Sequence, residues 1–265
     1  GETFSLWRKL KRAVTFVHYT NDEHFNFVLS WAVVVCAFCY VWENHITSTE
    51  YGKLGNNATI GIDPRIGWWL LELPVTISFV YFFFCKGGSQ SQQPVPRLMA
   101  AIMCWHYAYR GWIFPSLIRV HSSSKNFALL TAIGGPVVTI THGYLNAKWF
   151  AEHGKHLNRK WLTNPIFIVG IITYVSGFSL LVWHDSIIRG LRDGPGPRYR
   201  IPHGGLFEYA TCAQYLVELW TFLGFFLISY GPNGLFILLV SCVNLIPRAA
   251  VTTAWYKDKF GAEYP

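Results

Sequence analysis

The chain has 265 residues, of which 52% are hydrophobic, 17% aromatic and only 14% charged. A soluble domain carries roughly 25% charged residues, so this composition argues against an ordinary soluble enzyme, and a mean hydropathy of +0.26 points to apolar spans separated by polar loops. The net charge of +8 suits an anionic lipid or a phosphorylated ligand; without a long Lys/Arg run or a basic soluble domain, nucleic acid is the weakest partner class.

In chain order, the first segment is basic and amphipathic (Leu6-Trp7-Arg8-Lys9-Leu10-Lys11-Arg12) and reads as an interfacial helix, not as a signal peptide. A membrane-spanning helix needs ~20 apolar residues. Seven candidate runs follow, at 26–43, 66–85, 98–118, 127–146, 165–184, 206–230 and 233–247. Gly231-Pro232-Asn233-Gly234 reads as a tight turn between the last two, and Pro247 as the end or a kink of the last. The predicted fold is all-α, one membrane-embedded domain whose residues 1–25 form the interfacial segment. Asn57-Ala58-Thr59 matches a short and common glycosylation pattern. Lys and Arg divide almost evenly between the two membrane faces, so the positive-inside rule sets no orientation. The six cysteines all lie in or beside apolar runs. Cys36 and Cys39 form a C-x-x-C, but inside a span they read as small buried residues.

Ionisable groups interrupt the apolar runs at helical spacings. Glu72 lies within the second, His106 and Arg110 within the third, Glu218 within the sixth, and Asp185 closes the fifth. A charge at the centre of a membrane helix costs about 2.5–3.5 kcal/mol even on the mild insertion scale, which makes each a functional-site hypothesis by default. Asp185, Arg189 and Arg192, at spacings of four and three, fall on one helical stripe. That stripe enters Asp193-Gly194-Pro195-Gly196-Pro197-Arg198-Tyr199-Arg200. A Gly/Pro loop with arginines suits phosphate, since guanidinium offers planar bidentate donors; the plain alternative is a solvated, salt-bridged helix end. Pro202, Gly204 and Gly205 break the chain before the sixth span and allow close backbone approach. Thr211, Gln214 and Glu218 then give that span one polar face, which suits a ligand or helix–helix hydrogen bonding. His106 and Arg110 share a face, and Tyr107 lies next to them; a buried Tyr near Glu72 can hydrogen-bond a carbonyl and donate a proton to it.

Taken together these segments resemble the steroid 5-alpha-reductase family. The resemblance covers about residues 66 to 265 and is most specific over Tyr199-Arg200-Ile201-Pro202-His203-Gly204-Gly205-Leu206-Phe207-Glu208-Tyr209. It extends to Glu72-Leu73-Pro74, His106-Tyr107 and the tail Arg248 to Tyr264, while residues 1 to 60 match poorly. The chain departs from the family at Leu181-Val182-Trp183-His184-Asp185, where only the Asp of the usual run survives cleanly. It departs also at Gln214, where Asn is commoner, and at Thr252, where His is usual.

The resemblance implies an integral membrane reductase of seven helices that uses NADPH on 3-oxo-Δ4 steroids. By it, Glu72 and Tyr107 hold the substrate carbonyl. Asp185, Arg192, Tyr199, Gln214, Glu218, Arg248 and Tyr256 fall at cofactor positions, with Arg119 and then Arg110 as further phosphate partners and Arg200 in the phosphate-binding loop. No metal is implied, and the expected state is a monomer. No G-x-G-x-x-G is present, so the cofactor is expected inside the helical bundle. Hydride would reach the β-carbon of the enone, C5 of the steroid, as charge grows on the C3 oxygen beside Tyr107. An ionised Glu72 would repel that charge, so Glu72 is expected protonated or hydrogen-bonded to Tyr107. NADPH is a cytosolic reagent; the face holding Arg119, Arg192 and Tyr256 is therefore expected in the cytosol, with Asn57 then unglycosylated. Alternatives are an enoyl-thioester or polyprenal reductase, an isoprenylcysteine-type methyltransferase, and a transporter, which the lack of internal repeats disfavours.

Overall fold

The computed structural model describes residues 7, 9, 11–46, 54, 60–120, 127–193, 197 and 199–264. Asn57, Arg198, Gly194 to Gly196 and Pro265 lie outside these residues.

Seven long helices account for most of the described chain: α1 Glu23–Val41, α2 Pro64–Val80, α3 Pro94–Ala108, α4 Leu129–Lys148, α5 Pro165–Gly190, α6 Ala213–Ser229 and α7 Pro232–Phe260. The only strands among the described residues, Gly61–Ile62 and Phe127–Ala128, pair antiparallel with Gly61 opposite Ala128 and bracket the starts of α2 and α4. Helix starts follow local chemistry. Asp22 caps α1 by accepting from the amides of His24 and Phe25, Asp63 caps α2 and Asn164 caps α5. Proline occupies the first turn of α2, α3, α5 and α7, where its missing N–H costs nothing. Four of the helices close in a wider π-helical turn: Trp42–Ile46, Tyr81–Cys85, Tyr109–Ile113 and Trp149–His153. Such turns recur at functional sites, and two of the four carry the side chains considered below.

The pattern of burial is that of a membrane bundle. On α5, Ile168, Val169, Ile172 and Val175 face outward, while Thr173, His184 and Asp185 are buried. Four helical segments are long and apolar enough to cross a bilayer: Glu23–Ile46, Pro64–Cys85, Pro165–Gly190 and Pro232–Glu263. The other three predicted spans coincide with helices, but these do not meet that criterion of length and apolarity; Ala213–Ser229 is apolar and shorter. Small residues let the helices touch. A Cβ on Gly177 of α5 would sit 2.7 Å from the Thr221 hydroxyl of α6, and one on Gly224 would meet the Tyr174 backbone at 2.3 Å.

Three local expectations need correction. The sixth span begins at Ala213, because residues 205–208 form a separate short turn after the positive-φ pair Gly204 and Gly205. Thr211 is therefore off the helical face of Gln214 and Glu218, and its hydroxyl meets that of Tyr264. The turn between α6 and α7 is Tyr230-Gly231, with Tyr230 left-handed at φ 41°, and Asn233 and Gly234 already belong to α7. Finally, Pro247 lies within α7, which runs on to Phe260, so the tail arginine and tyrosine are carried on a continuous helix. Five of the six cysteines are buried or half-buried, as small apolar residues would be, and Cys85 is exposed.

Candidate active site

Arg110 is the centre of the buried polar region. It sits in the π-helical turn that ends α3 and is 7% exposed, so its charge must be met from within the protein. Three carboxylates from three other helices surround it: Glu72 of α2 at 3.6 Å, Glu218 of α6 at 3.5 Å and Asp185 of α5 at 3.9 Å. The guanidinium also lies over the rings of Phe114 and Trp68, at 4.9 and 5.5 Å from their centres, contacts suited to its weakly hydrated plane. Tyr109, next in the same turn, donates its hydroxyl to Asp185 Oδ2 over 3.0 Å. Four helices are thus drawn to one point by groups that have no other solvent.

The stripe predicted for α3 is present. His106, one turn from Arg110, faces the same α5–α6 seam, with Tyr174 hydroxyl 3.4 Å from its Nδ1 and the rings of Phe178 and Phe222 beside it. Tyr107 is buried, with its ring centre 5.7 Å from that of His142. Tyr107 lines a tight crevice between α2 and α3 with Val75, Thr76, Phe79, Met103 and Cys104, too narrow to admit a water. The Thr76 hydroxyl is buried there without a hydrogen-bond partner. Glu72 is paired with Arg110, and among the described residues no hydrogen bond joins it to Tyr107.

The remaining predicted positions form two further groups on the face where α5, α6 and α7 meet their loops. Arg119 pairs with Asp193, Arg192 donates to the Arg119 carbonyl at 2.5 Å, and Arg200 donates to the Asp193 carbonyl at 3.3 Å. α5 ends at Gly190, so Arg192 leaves the stripe of Asp185 and Arg189 and points into this loop cluster instead. Tyr199 meets Trp255 edge-on at 5.0 Å, and the buried Tyr256 stacks on Tyr264 at 5.3 Å. Between the loops and Arg110 lie Gln214, whose side-chain oxygen is buried without a partner, and Arg248, whose Nε donates to the Tyr215 hydroxyl at 3.0 Å.

Two supporting residues were not singled out from the sequence. His184 donates from Nδ1 to the Leu180 carbonyl at 2.7 Å, and its Nε2 accepts from the Leu206 amide at 3.0 Å. That fixes its tautomer and pins residues 204–208 to α5. A Cβ on Gly205 would come within 2.9 Å of that nitrogen, which, with φ 57°, explains the glycine. Tyr215 holds Arg248. The available signals were their neighbours in sequence: each lies beside a predicted site residue, Asp185 or Gln214.

Comparison with known proteins gives a single answer. The pattern of the family described as 3-oxo-5-alpha-steroid 4-dehydrogenase matches residues 125–265. A steroid 5-alpha-reductase of Solanum lycopersicum is 30% identical over 250 residues, covering 93% of this chain and 95% of that protein. A 3-oxo-5-alpha-steroid 4-dehydrogenase 1 of Rattus norvegicus is 30% identical over 206 residues, 78% of each chain. Its Homo sapiens counterpart is 28% identical over 237 residues, 88% of this chain and 90% of that one.

Proposed function

The chain belongs to the 3-oxo-5-alpha-steroid 4-dehydrogenase family of membrane oxidoreductases, and from that premise we propose that it reduces the carbon–carbon double bond of a 3-oxo-Δ4 steroid with NADPH. The observation that carries the reading is the meeting of Glu72, Asp185 and Glu218 on Arg110, with the buried Tyr107 three residues before Arg110 in the chain.

NADPH fits the residues present. The arginines Arg119, Arg192 and Arg200 gather within one loop cluster able to take phosphates. The orphaned Gln214 oxygen is an acceptor awaiting an amide or hydroxyl donor. Asp185 and Glu218 meet on Arg110, Glu218 one turn along α6 from Gln214, and Tyr199, Arg248 and Tyr256 line the loop side. When bound, the cofactor supplies the hydride delivered to C5. The work of this chain is to hold the enone and stabilise the charge that appears on its oxygen. Tyr107 donates a hydrogen bond to the C3 oxygen, and that bond strengthens as enolate character grows. Glu72 orients the carbonyl, and Arg110, fixed by Asp185 and Glu218, stands behind Glu72 as a positive counter-field. The Phe79, Met103 and Val75 walls exclude water around the reacting oxygen. The α-carbon then takes its proton from solvent. The protein works as a monomer, with the arginine loops in the cytosol, where NADPH is supplied.

The experiment incubates detergent-purified protein with NADPH and, separately, 3-oxo-Δ4 steroids, enals and enoyl thioesters. Cofactor oxidation with the steroids alone is expected. Oxidation only with thioesters or enals would overturn the substrate assignment, and methyl transfer from S-adenosylmethionine without any cofactor oxidation would overturn the reaction.

A further inference from the structure

A second set of ionisable groups lies at the opposite end of the bundle, away from the arginine loops. Asp22, at the start of α1, and Glu152 and His153, in the π-helical turn that closes α4, each offer one donor atom, and these atoms all lie within 4.8 Å of one another. The two carboxylates each keep one oxygen clear of their backbone and lysine bonds, and that of Asp22 faces His153. Asp22 spends Oδ1 on the amides of His24 and Phe25, at 2.8 and 3.1 Å, which leaves Oδ2. Glu152 gives Oε1 to the Lys148 ammonium at 2.5 Å, which leaves Oε2. His153 Nε2 is buried and makes no hydrogen bond, although Asp22 Oδ2 is 3.4 Å away.

That separation is informative. Oxygen and nitrogen ligands at about 2.0–2.1 Å from a tetrahedral zinc ion lie about 3.4 Å from each other, the separation of Asp22 Oδ2 and His153 Nε2, with the Glu152 carboxylate within 4.8 Å of both. An independent group points the same way. Tyr144, one helical turn before Lys148 and 4% exposed, has a hydroxyl with no partner, and it lies within electrostatic reach of both Asp22 and Glu152. A metal-bound water would give that hydroxyl its missing bond. The scaffold is rigid as well: Gln90 donates to the carbonyls of Phe150 and Gly154, both at 3.0 Å, on either side of Glu152 and His153. Phe25 packs against the His153 ring at 4.5 Å.

We propose that Asp22, Glu152 and His153 form a binding site for one first-row divalent cation of the zinc class, with Tyr144 bonded to its water. The ion clamps the start of α1 to the end of α4. Lys148 already offsets one of the two carboxylate charges, so the site takes a divalent cation to a net charge near zero or +1 and has no need of a thiolate.

The test uses the full chain in detergent, stripped with a chelator, with zinc titrated against a chromophoric competitor. Wild type is expected to bind one zinc per chain and to melt at a higher temperature with it, by mass action. Asp22→Asn and His153→Gln should each weaken binding by at least ~10²-fold, the upper end of what losing a mere supporting contact costs. Should either variant fail to elute as a folded species, Glu152→Gln repeats the measurement on a helix end that Gln90 still holds. Absence of zinc binding by wild type overturns the site, and so does equal binding by wild type and the folded variants, which would assign the zinc to the free thiols.

Discussion

The Tyr109 hydroxyl donates to Asp185 Oδ2 over 3.0 Å, joining the π-helical end of α3 to the C-terminal end of α5. This bond sets where Asp185 can point. The same Asp185 oxygen that Tyr109 holds lies 3.9 Å from Arg110.

Tyr109→Phe removes that bond and leaves the ring in place. A buried carboxylate then loses a donor, which costs about 1.5–3 kcal/mol. The expected result is a lower thermal midpoint in detergent together with weaker NADPH binding, read by cofactor fluorescence. An unchanged midpoint and affinity would show that Arg110 alone orients Asp185.

Arg110 meets three carboxylates and supplies the only cation among the described residues within 4 Å of Glu72, Asp185 and Glu218. Arg110→Ala strands all three in the bundle, and breaking a buried pair by removing one partner costs about 3–5 kcal/mol. Arg110→Lys keeps a charge but not the planar fork that reaches three helices. Thermal unfolding should rank wild type above Lys and Lys above Ala, and Glu72→Gln should restore part of the loss in the Ala background. An alanine variant as stable as wild type would mean that the cluster is filled by water.

How far this site was legible in the sequence depends on what each residue had to signal. Glu72, Arg110, Asp185 and Glu218 announce themselves because charge inside an apolar run is costly and spacing assigns it a face. The stripe of His106 and Arg110 on the α5–α6 seam follows from i, i+4 alone. Partner choice does not: nothing in the spacing of Glu72 says that it meets Arg110, which lies 38 positions on in the chain and in a π-helical turn. The reach of α7 past Pro247 was likewise hidden, because a proline breaks a helix only where neighbours do not hold it. His184 and Tyr215 act on partners 22 and 33 residues away, a relation no local pattern contains.

Cofactor preference follows from the loop cluster. Arg119 and Arg192 are exposed and gathered about Asp193, where a 2′-phosphate would add a dianion to an arginine-rich surface. NADPH should be preferred over NADH by at least ~tenfold, about 1.4 kcal/mol. Arg119→Ala and Arg192→Ala should shrink that ratio without changing turnover at saturating cofactor. Equal catalytic efficiency with NADH in wild type would remove the phosphate role from these arginines.

The last prediction separates Glu72 from Tyr107. Glu72 pairs with Arg110, while Tyr107 lies in the α2–α3 crevice with Phe79 and Met103, so the two should fail differently when altered. Tyr107→Phe deletes the donor to the C3 oxygen and should cut turnover by ~10²-fold or more, the contribution of one positioned acid, with little change in stability. Glu72→Gln keeps a group of the same shape that can still hydrogen-bond a carbonyl. Glu72→Ala removes the group and leaves Arg110 facing a void. If Glu72 acts as a hydrogen-bonding group on the carbonyl, Gln should retain measurable activity and Ala far less. If Glu72 acts through its charge on Arg110, Gln and Ala should be equally impaired, and both should also unfold at lower temperature. Single-turnover NADPH oxidation and thermal unfolding on the same purified variants distinguish the two. A fully active Tyr107→Phe would take the proton-donor role away from the phenol whichever way Glu72 behaves.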